Sequence, residues 1–233
     1  MRARSLLALL AFASLPLGGL AAQGATDARP GVAVFEFENG GSIGQDSLNF
    51  AGLQRGIPGM LISELSANTA WRVVEREQVQ KLLDEQNLGS TGRVDAQTAA
   101  KIGKLVGAKY AVLGTFIDFS GDFRVDIRLV NVETSEIMKT EHAVMSRDKL
   151  FGIITDVATR LMKDVNLPPL PKQTADARMS RQVPTEALTY YSRALLYQDR
   201  GQKDKAVEMY NKALAVFPEY TEAQQGLERE KNS

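Results

Sequence analysis

Trp71-Arg72-Val73-Val74-Glu75-Arg76, running into the amphipathic stretch Glu77 to Leu88, and then Gly107-Ala108-Lys109-Tyr110-Ala111-Val112-Leu113-Gly114 with the alternating run Phe123 to Val132, decide the fold of this chain. Trp71 to Val74 reads as a short strand. Val79, Leu82, Leu83 and Gln86 recur at helical spacing and give a helix with one buried stripe. Lys109 to Phe119 is apolar on both faces, as a central strand is. Ser120-Gly121-Asp122 is hairpin-turn chemistry. Beyond it, Phe123, Val125, Ile127 and Leu129 alternate with Arg124, Asp126 and Arg128, so this strand has one buried and one wet face.

Upstream, Val32-Ala33-Val34-Phe35-Glu36-Phe37-Glu38-Asn39 opens with a buried strand that ends at Asn39-Gly40-Gly41. Residues 38–52 hold Gly40, Gly41, Gly44, Asn49 and Gly52 and read as a long mobile loop. Leu53, Ile57, Met60, Leu61 and Leu65 follow at helical spacing, with Pro58 implying a kink or a helix start. Asp95 caps a third helix through Leu105, which Gly107 stops. Downstream, Glu133-Thr134-Ser135-Glu136 turns into a strand from Ile137 to Met145. Leu150, Ile153, Ile154, Val157, Leu161 and Met162 form a fourth helical stripe. The order β-α-β-α-α-β-β-β-α predicts an α/β (α+β) fold: a mixed sheet packed with helices. Pro168-Pro169-Leu170-Pro171 breaks the pattern, and residues 166–184 read as a linker.

The five stretches Val32–Asn39, Gly59-Met60-Leu61-Ile62-Ser63-Glu64-Leu65, Val73–Gln86, Gly107–Gly114 and Leu129–Ile137 together resemble the core of the curli-secretion-channel (CsgG/HfaB-like) family, over residues 30–165. The resemblance implies a fold shared with TolB N-terminal-like domains and with the outer-membrane activators of penicillin-binding proteins. It implies a cell-envelope role through assembly, and makes a homo-oligomer an inherited expectation. Two departures narrow it. A membrane hairpin needs two strands of about 9–11 residues each, whereas Phe119 and Phe123 are separated only by Ser120-Gly121-Asp122, so the pore-forming hairpins are expected to be missing. The chain also has no cysteine, hence no lipid anchor on that residue, no disulfide, no thiolate nucleophile and no cysteine-based metal site.

Residues 187–220 fit one tetratricopeptide unit, whose repeat is about 34 residues, within a helical region spanning 185–233. Tyr190, Ala194 and Tyr197 occupy the pattern positions of its first helix. Ala206, Tyr210, Ala213 and Pro218 occupy those of the second. Small alanines let the two helices approach while aromatics fill the gap beside them. Arg193 stands where leucine is usual. These seven positions are the candidate partner-binding residues, because a lone repeat cannot bury its own core. The main domain, a second copy of the chain or a partner's helix could cover it, and the intervening linker favours a partner or a second copy.

Arg2 and Arg4, the apolar run 5–17 and the small residues of Gly18 to Ala25 read as a secretory signal over residues 1–22 with cleavage expected after Ala22, a retained membrane-anchoring helix being the alternative. Export to the periplasm, or to association with the outer membrane, follows, with no membrane span left after cleavage. Lys plus Arg number 28, as do Asp plus Glu, so charge gives no reason to expect nucleic acid as a partner. Catalysis finds no support. His142 is the single histidine and lacks the positioned partner that general-base work needs. Ser63, Ser66 and Ser90 have no nucleophile elbow. Gly40-Gly41-Ser42-Ile43-Gly44 lacks phosphate-binding spacing. Asp118, Asp122 and Asp126 lack the spacing of a calcium loop. Glu75-Arg76 reads as a local charge pair.

No enzyme activity, no cofactor and no metal are expected. The leading reading is a non-enzymatic periplasmic adaptor or assembly factor acting on protein partners in the cell envelope. A regulator of envelope enzymes such as peptidoglycan synthases is the alternative. A carboxylate-based hydrolase is a third, which a pocket clustering carboxylates with His142 would favour.

Overall fold

The computed structural model describes residues 27–44, 46–86 and 94–232; the expected secretory signal, Ser90 and the last residues of the stretch ending at Leu88 lie outside them. Strands β1 (Gly31–Asn39), β2 (Arg72–Val73), β3 (Tyr110–Phe119), β4 (Asp122–Asn131) and β5 (Ile137–Ser146) form one sheet in the order β2-β1-β3-β4-β5. β1 runs parallel to β2 and β3, and the β3–β4 and β4–β5 pairs are antiparallel. Helices α1 (Ser47–Ser66), α2 (Arg76–Glu85), α3 (Ala96–Leu105) and α4 (Leu150–Asp164) fall where the periodicity placed them. The mixed sheet with packed helices is therefore the fold, and the order of elements through α4 is the one the sequence predicts.

Alternation along the strands sorts the core into two layers. Val32, Val34, Val112, Phe116, Phe123, Val125, Ile127 and Leu129 face α1 and α4. Ala33, Phe35, Ala111, Leu113 and Val130 face α2 and α3. On that second side the helices stop short. The face over β3–β5, carrying Phe119, Arg124, Asp126, Arg128, His142 and Val144, is without a covering helix among the described residues. β3 and β4 are joined by Ser120 and Gly121, both at positive φ (54° and 112°), the conformation that a two-residue hairpin turn demands.

Two expectations are corrected. The long loop is shorter than expected, because α1 already starts at Ser47, where Asp46 Oδ1 accepts from the Leu48 amide at 3.0 Å as an N-cap. The helix then passes through Pro58 without stopping. Proline costs it one backbone hydrogen bond, and complete burial of Ile57, Met60 and Leu61 on both sides outweighs that loss. The segment expected as a linker instead contains helix α5 (Lys172–Ser180) and lies along α4. Leu167 and Leu170 reach the core and Val183 is buried. Helices α6 (Thr185–Asp199), α7 (Lys203–Val216) and α8 (Thr221–Asn232) complete the chain.

Candidate functional site

The helical repeat does not await a partner to cover it: α6 packs on α1, and both belong to one continuous apolar core. The seam is built on three glycines. Gly52, Gly56 and Gly59 are four and three residues apart, so they share one face of α1. A Cβ at Gly52 would stand 3.1 Å from the Ser192 carbonyl carbon, one at Gly56 would land on the Ser192 hydroxyl, and one at Gly59 would come within 2.7 Å of Tyr191 Oη. Without side chains in the way, the α6 backbone closes directly onto α1. Tyr191 then meets Tyr220 at 5.1 Å and Tyr210 at 6.3 Å between ring centroids. Burial raises the pKa of all three phenols above their ordinary value.

Ion pairs lock the edges of the seam. Arg76 is buried, and its Nη2 lies 2.8 Å from Asp199 Oδ1; Arg55 Nε reaches Asp199 Oδ2 at 2.9 Å. The expected local pair of Glu75 with Arg76 is thus replaced by a long-range one. Arg76 starts α2 and Asp199 ends α6, so each charge opposes its own helix dipole, and pairing them offsets both. Burial opposes the Arg76 charge, but the Asp199 carboxylate outweighs it and holds the guanidinium above its ordinary pKa range. On the opposite flank, Arg181 grips Glu222 in a fork (2.8 and 2.5 Å), and Ser63 Oγ donates to the same carboxylate at 2.7 Å. Burial acts to raise the Glu222 pKa, but these donors prevail and lower it. Arg193, the departure from the repeat pattern, donates through Nε to Asn49 Oδ1 at 2.7 Å and lies 3.4 Å from Asp46. It departs from leucine because that position faces the start of α1.

The seven candidate positions separate. Ala194, Ala206, Tyr210 and Ala213 have no exposed surface; they hold α6 against α7, and Tyr210 Oη donates to Gln198 at 2.8 Å. Tyr190 and Tyr197 are half-buried, each with a lysine over its ring (Lys212 and Lys205), and Pro218 is exposed. Only these last three present surface to another molecule. Sequence reasoning missed Gly52, Gly56 and Gly59, whose spacing is the available signal, and the pairs that span the seam, for which no local signal exists.

Catalytic geometry does not form among the residues considered. His142 is exposed on β5, outside the walls of every cavity described below. Asp118 is buried against Arg147 (2.5 Å), Asp126 pairs with Arg124 (2.6 Å), and Asp122 is exposed. No cluster of three or more metal-ligating side chains occurs among the described residues, and no described helix is long and apolar enough to cross a membrane. Two cavities are relevant here, one away from the seam and one against it. One, of about 590 Å³, lies beneath α5. The other, of about 400 Å³, is a polar cleft between α1, α2, α6 and α8 lined by Arg76, Arg178, Arg229, Glu75, Glu77 and Glu222.

The class defined by this geometry is a mixed-sheet α/β domain fused through a glycine seam to a helical hairpin. Residues 18–124 match the family model described as "Curli production assembly/transport component CsgG", and residues 187–220 match the tetratricopeptide repeat model. The two matches thus fall on a CsgG-like core and on one tetratricopeptide repeat. The sheet and α4 extend the α/β layer past the matched segment, to Asp164.

Among solved structures, the chain is similar to the LpoB C-terminal domain from Escherichia coli, at 21% identity over 55% of this chain and 89% of that one, with a TM-score of 0.39. It is similar to PelC from Paraburkholderia phytofirmans, solved as a dodecamer (11%; 60% and 89%; TM-score 0.38). It is also similar to the lipoprotein GNA1162 from Neisseria meningitidis (14%; 57% and 96%; TM-score 0.40). No curated protein matches.

Proposed function

We propose that the protein is a non-enzymatic adaptor or assembly factor of the cell envelope, working in the periplasm through protein–protein contacts. The CsgG-like core and the tetratricopeptide repeat support this reading. The observation that carries it is the division of surfaces. The seam consumes the inner face of the repeat, while the sheet face over β3–β5 stays bare, with Phe119 at 62% and Val144 at 59% exposure. That strip mixes Phe119 and Val144 with Arg124, Asp126 and Arg128. Such a mixture of apolar and charged groups suits a non-obligate contact with a different protein rather than the more apolar face of a permanent homo-oligomer.

The test is site-specific photo-crosslinking in exporting cells, with the crosslinker at Phe119 or Val144 and, as control, at exposed Glu133. A discrete crosslink to another envelope protein from the first two sites, and none from the control, is the expected result. Crosslinks only between copies would replace the adaptor with a homo-oligomer. A peptidoglycan synthase as the captured protein would make it a regulator of that enzyme. Stable insertion of the purified mature chain into liposomes, with ion conduction, would overturn the adaptor reading altogether.

A further inference from the structure

The cavity beneath α5 is walled by the C-terminal end of α1, by α4, and by residues 166–170 with α5 itself. Ala158, Met162, Leu167, Leu170 and Ala175 make its lining largely apolar. At about 590 Å³ it falls within the range of small-molecule sites. Three of its polar side chains make their hydrogen bonds within the fold, and Lys163 and Asn166 are exposed. Thr155 and Thr159 donate to helix carbonyls (3.2 and 2.9 Å). Asn68 donates to the Pro168 carbonyl at 2.8 Å and accepts from the Ala70 amide at 3.0 Å.

Glu64 is the buried side chain of the lining that is left half-satisfied. It is 2% exposed, yet it forms part of the cavity wall. Arg178 Nε holds Oε2 at 3.1 Å, while Oε1 is buried without a hydrogen-bond partner. An acceptor stripped of water and left unpaired is costly, and a donor brought in by a ligand relieves that cost. The wall also carries two cations, Arg178 and Lys163, against this one carboxylate, so a neutral donor fits and an ammonium does not.

We infer that the cavity is a binding site for a small apolar molecule carrying one neutral hydroxyl, its hydrocarbon against Ala158, Met162 and Ala175 and its hydroxyl donating to Glu64. The site is separate from the bare sheet face, and the inference holds whether or not that face recruits a partner.

The probe is 1-octanol, compared with 1-methoxyheptane, which has the same size but no donor, and with octylammonium. Binding to the full mature chain is followed by the methyl NMR signals of Ala158, Met162 and Ala175. Saturable shifts at these three methyls are expected, with octanol bound roughly 5-fold more tightly than the ether, the worth of one net hydrogen bond, and octylammonium weakest. Glu64→Gln, whose amide turns a donor toward the cavity once Arg178 takes its oxygen, is expected to bring the octanol-to-ether ratio to about one. Ala175→Leu changes a half-buried residue on α5 and fills the cavity; it is expected to remove binding of all three probes with an unchanged circular dichroism spectrum. Absence of saturable shifts, equal affinity for octanol and the ether in the unaltered protein, tightest binding of octylammonium, or unchanged binding in Ala175→Leu would each overturn the inference.

Discussion

The helical repeat is tied to the sheet domain in two places, and the two ties are built on opposite principles. At the α1–α6 seam, residues with no side chain let two helices close directly, and the contact is apolar, aromatic and continuous with the main core. Along α5 no residue is buried. The strap is held by Leu167 and Leu170 at its base and by Arg178, which reaches Glu64 and the Ser63 carbonyl (2.6 Å). Close packing at Gly52 and Gly56 leaves no room for anything else. The strap, held by a few long reaches, leaves a cavity under it. The seam is therefore the mechanical joint of the molecule, and the strap is the place where a ligand can enter without disturbing that joint.

Breaking the seam should have the largest effect. Gly56→Leu puts side-chain carbons where Ser192 stands, and a helix backbone cannot yield as a flexible side chain would. The loss should exceed the ~3 kcal/mol upper end of ordinary overpacking, because α6–α8 must move off α1. Urea unfolding followed by tyrosine and by Trp71 fluorescence should then show two transitions instead of one. Residues 181–184 should become a protease site. A single transition at unchanged midpoint would mean that the repeat is not held by this face.

Removing the clamp at the edge of the seam is the next largest. Asp199→Ala leaves Arg76 buried, with only Glu77, 3.5 Å away, as a remaining partner. Stripping one partner from a buried pair destabilises strongly, and a cost of about 2–3 kcal/mol is expected here since Arg76 keeps that second contact. The denaturation midpoint should fall while the slope stays unchanged. A fall below ~0.5 kcal/mol would show that the pair behaves as a surface salt bridge.

The seam and the strap also differ in how far the sequence announces them. β4 is readable because alternation of Phe123, Val125, Ile127 and Leu129 with charged residues leaves one arrangement against a core, and β1 and β3 are readable as short apolar runs. The helices α1 to α4 are readable from their apolar spacing. The seam is not, because glycine contributes no hydrophobic signal: Gly52 reads as loop, while its real information is the interval to Gly56 and Gly59. Nor does Arg76 reveal a partner 123 residues away. The strap is opaque for the opposite reason. Lys172 to Ser180 has no buried stripe, and four residues with three prolines before it (168–171) resemble a flexible connector. The repeat motif itself was legible at all seven positions, yet four of them serve internal packing, since the pattern encodes how two helices meet and not what they present outward.

The smallest effect belongs to the strap, and pH exposes it. Burial, against the pull of Arg178, holds the Glu64 carboxyl above its ordinary pKa of 4.5. For an acid, a raised folded-state pKa means that the folded protein binds the proton more tightly than the unfolded chain. The Glu64 contribution to stability is then greatest below pH 4.5 and is lost as pH rises from that value through the folded pKa. Glu222, whose pKa is lowered, runs the other way: its contribution is present above 4.5 and disappears as pH falls through its folded pKa. Whole-protein acid titration mixes these opposing terms, so the comparison must be between variants. Glu64→Gln cannot ionise. Its stability relative to the unaltered chain should improve steadily between pH 4 and pH 7, while most of the Glu222 term drops out of the difference. Paired urea titrations at pH 4, 5.5 and 7 measure it. A difference that stays constant or shrinks with rising pH would show that Arg178 fully compensates the buried carboxylate, and the strap would then be as tightly satisfied as the seam.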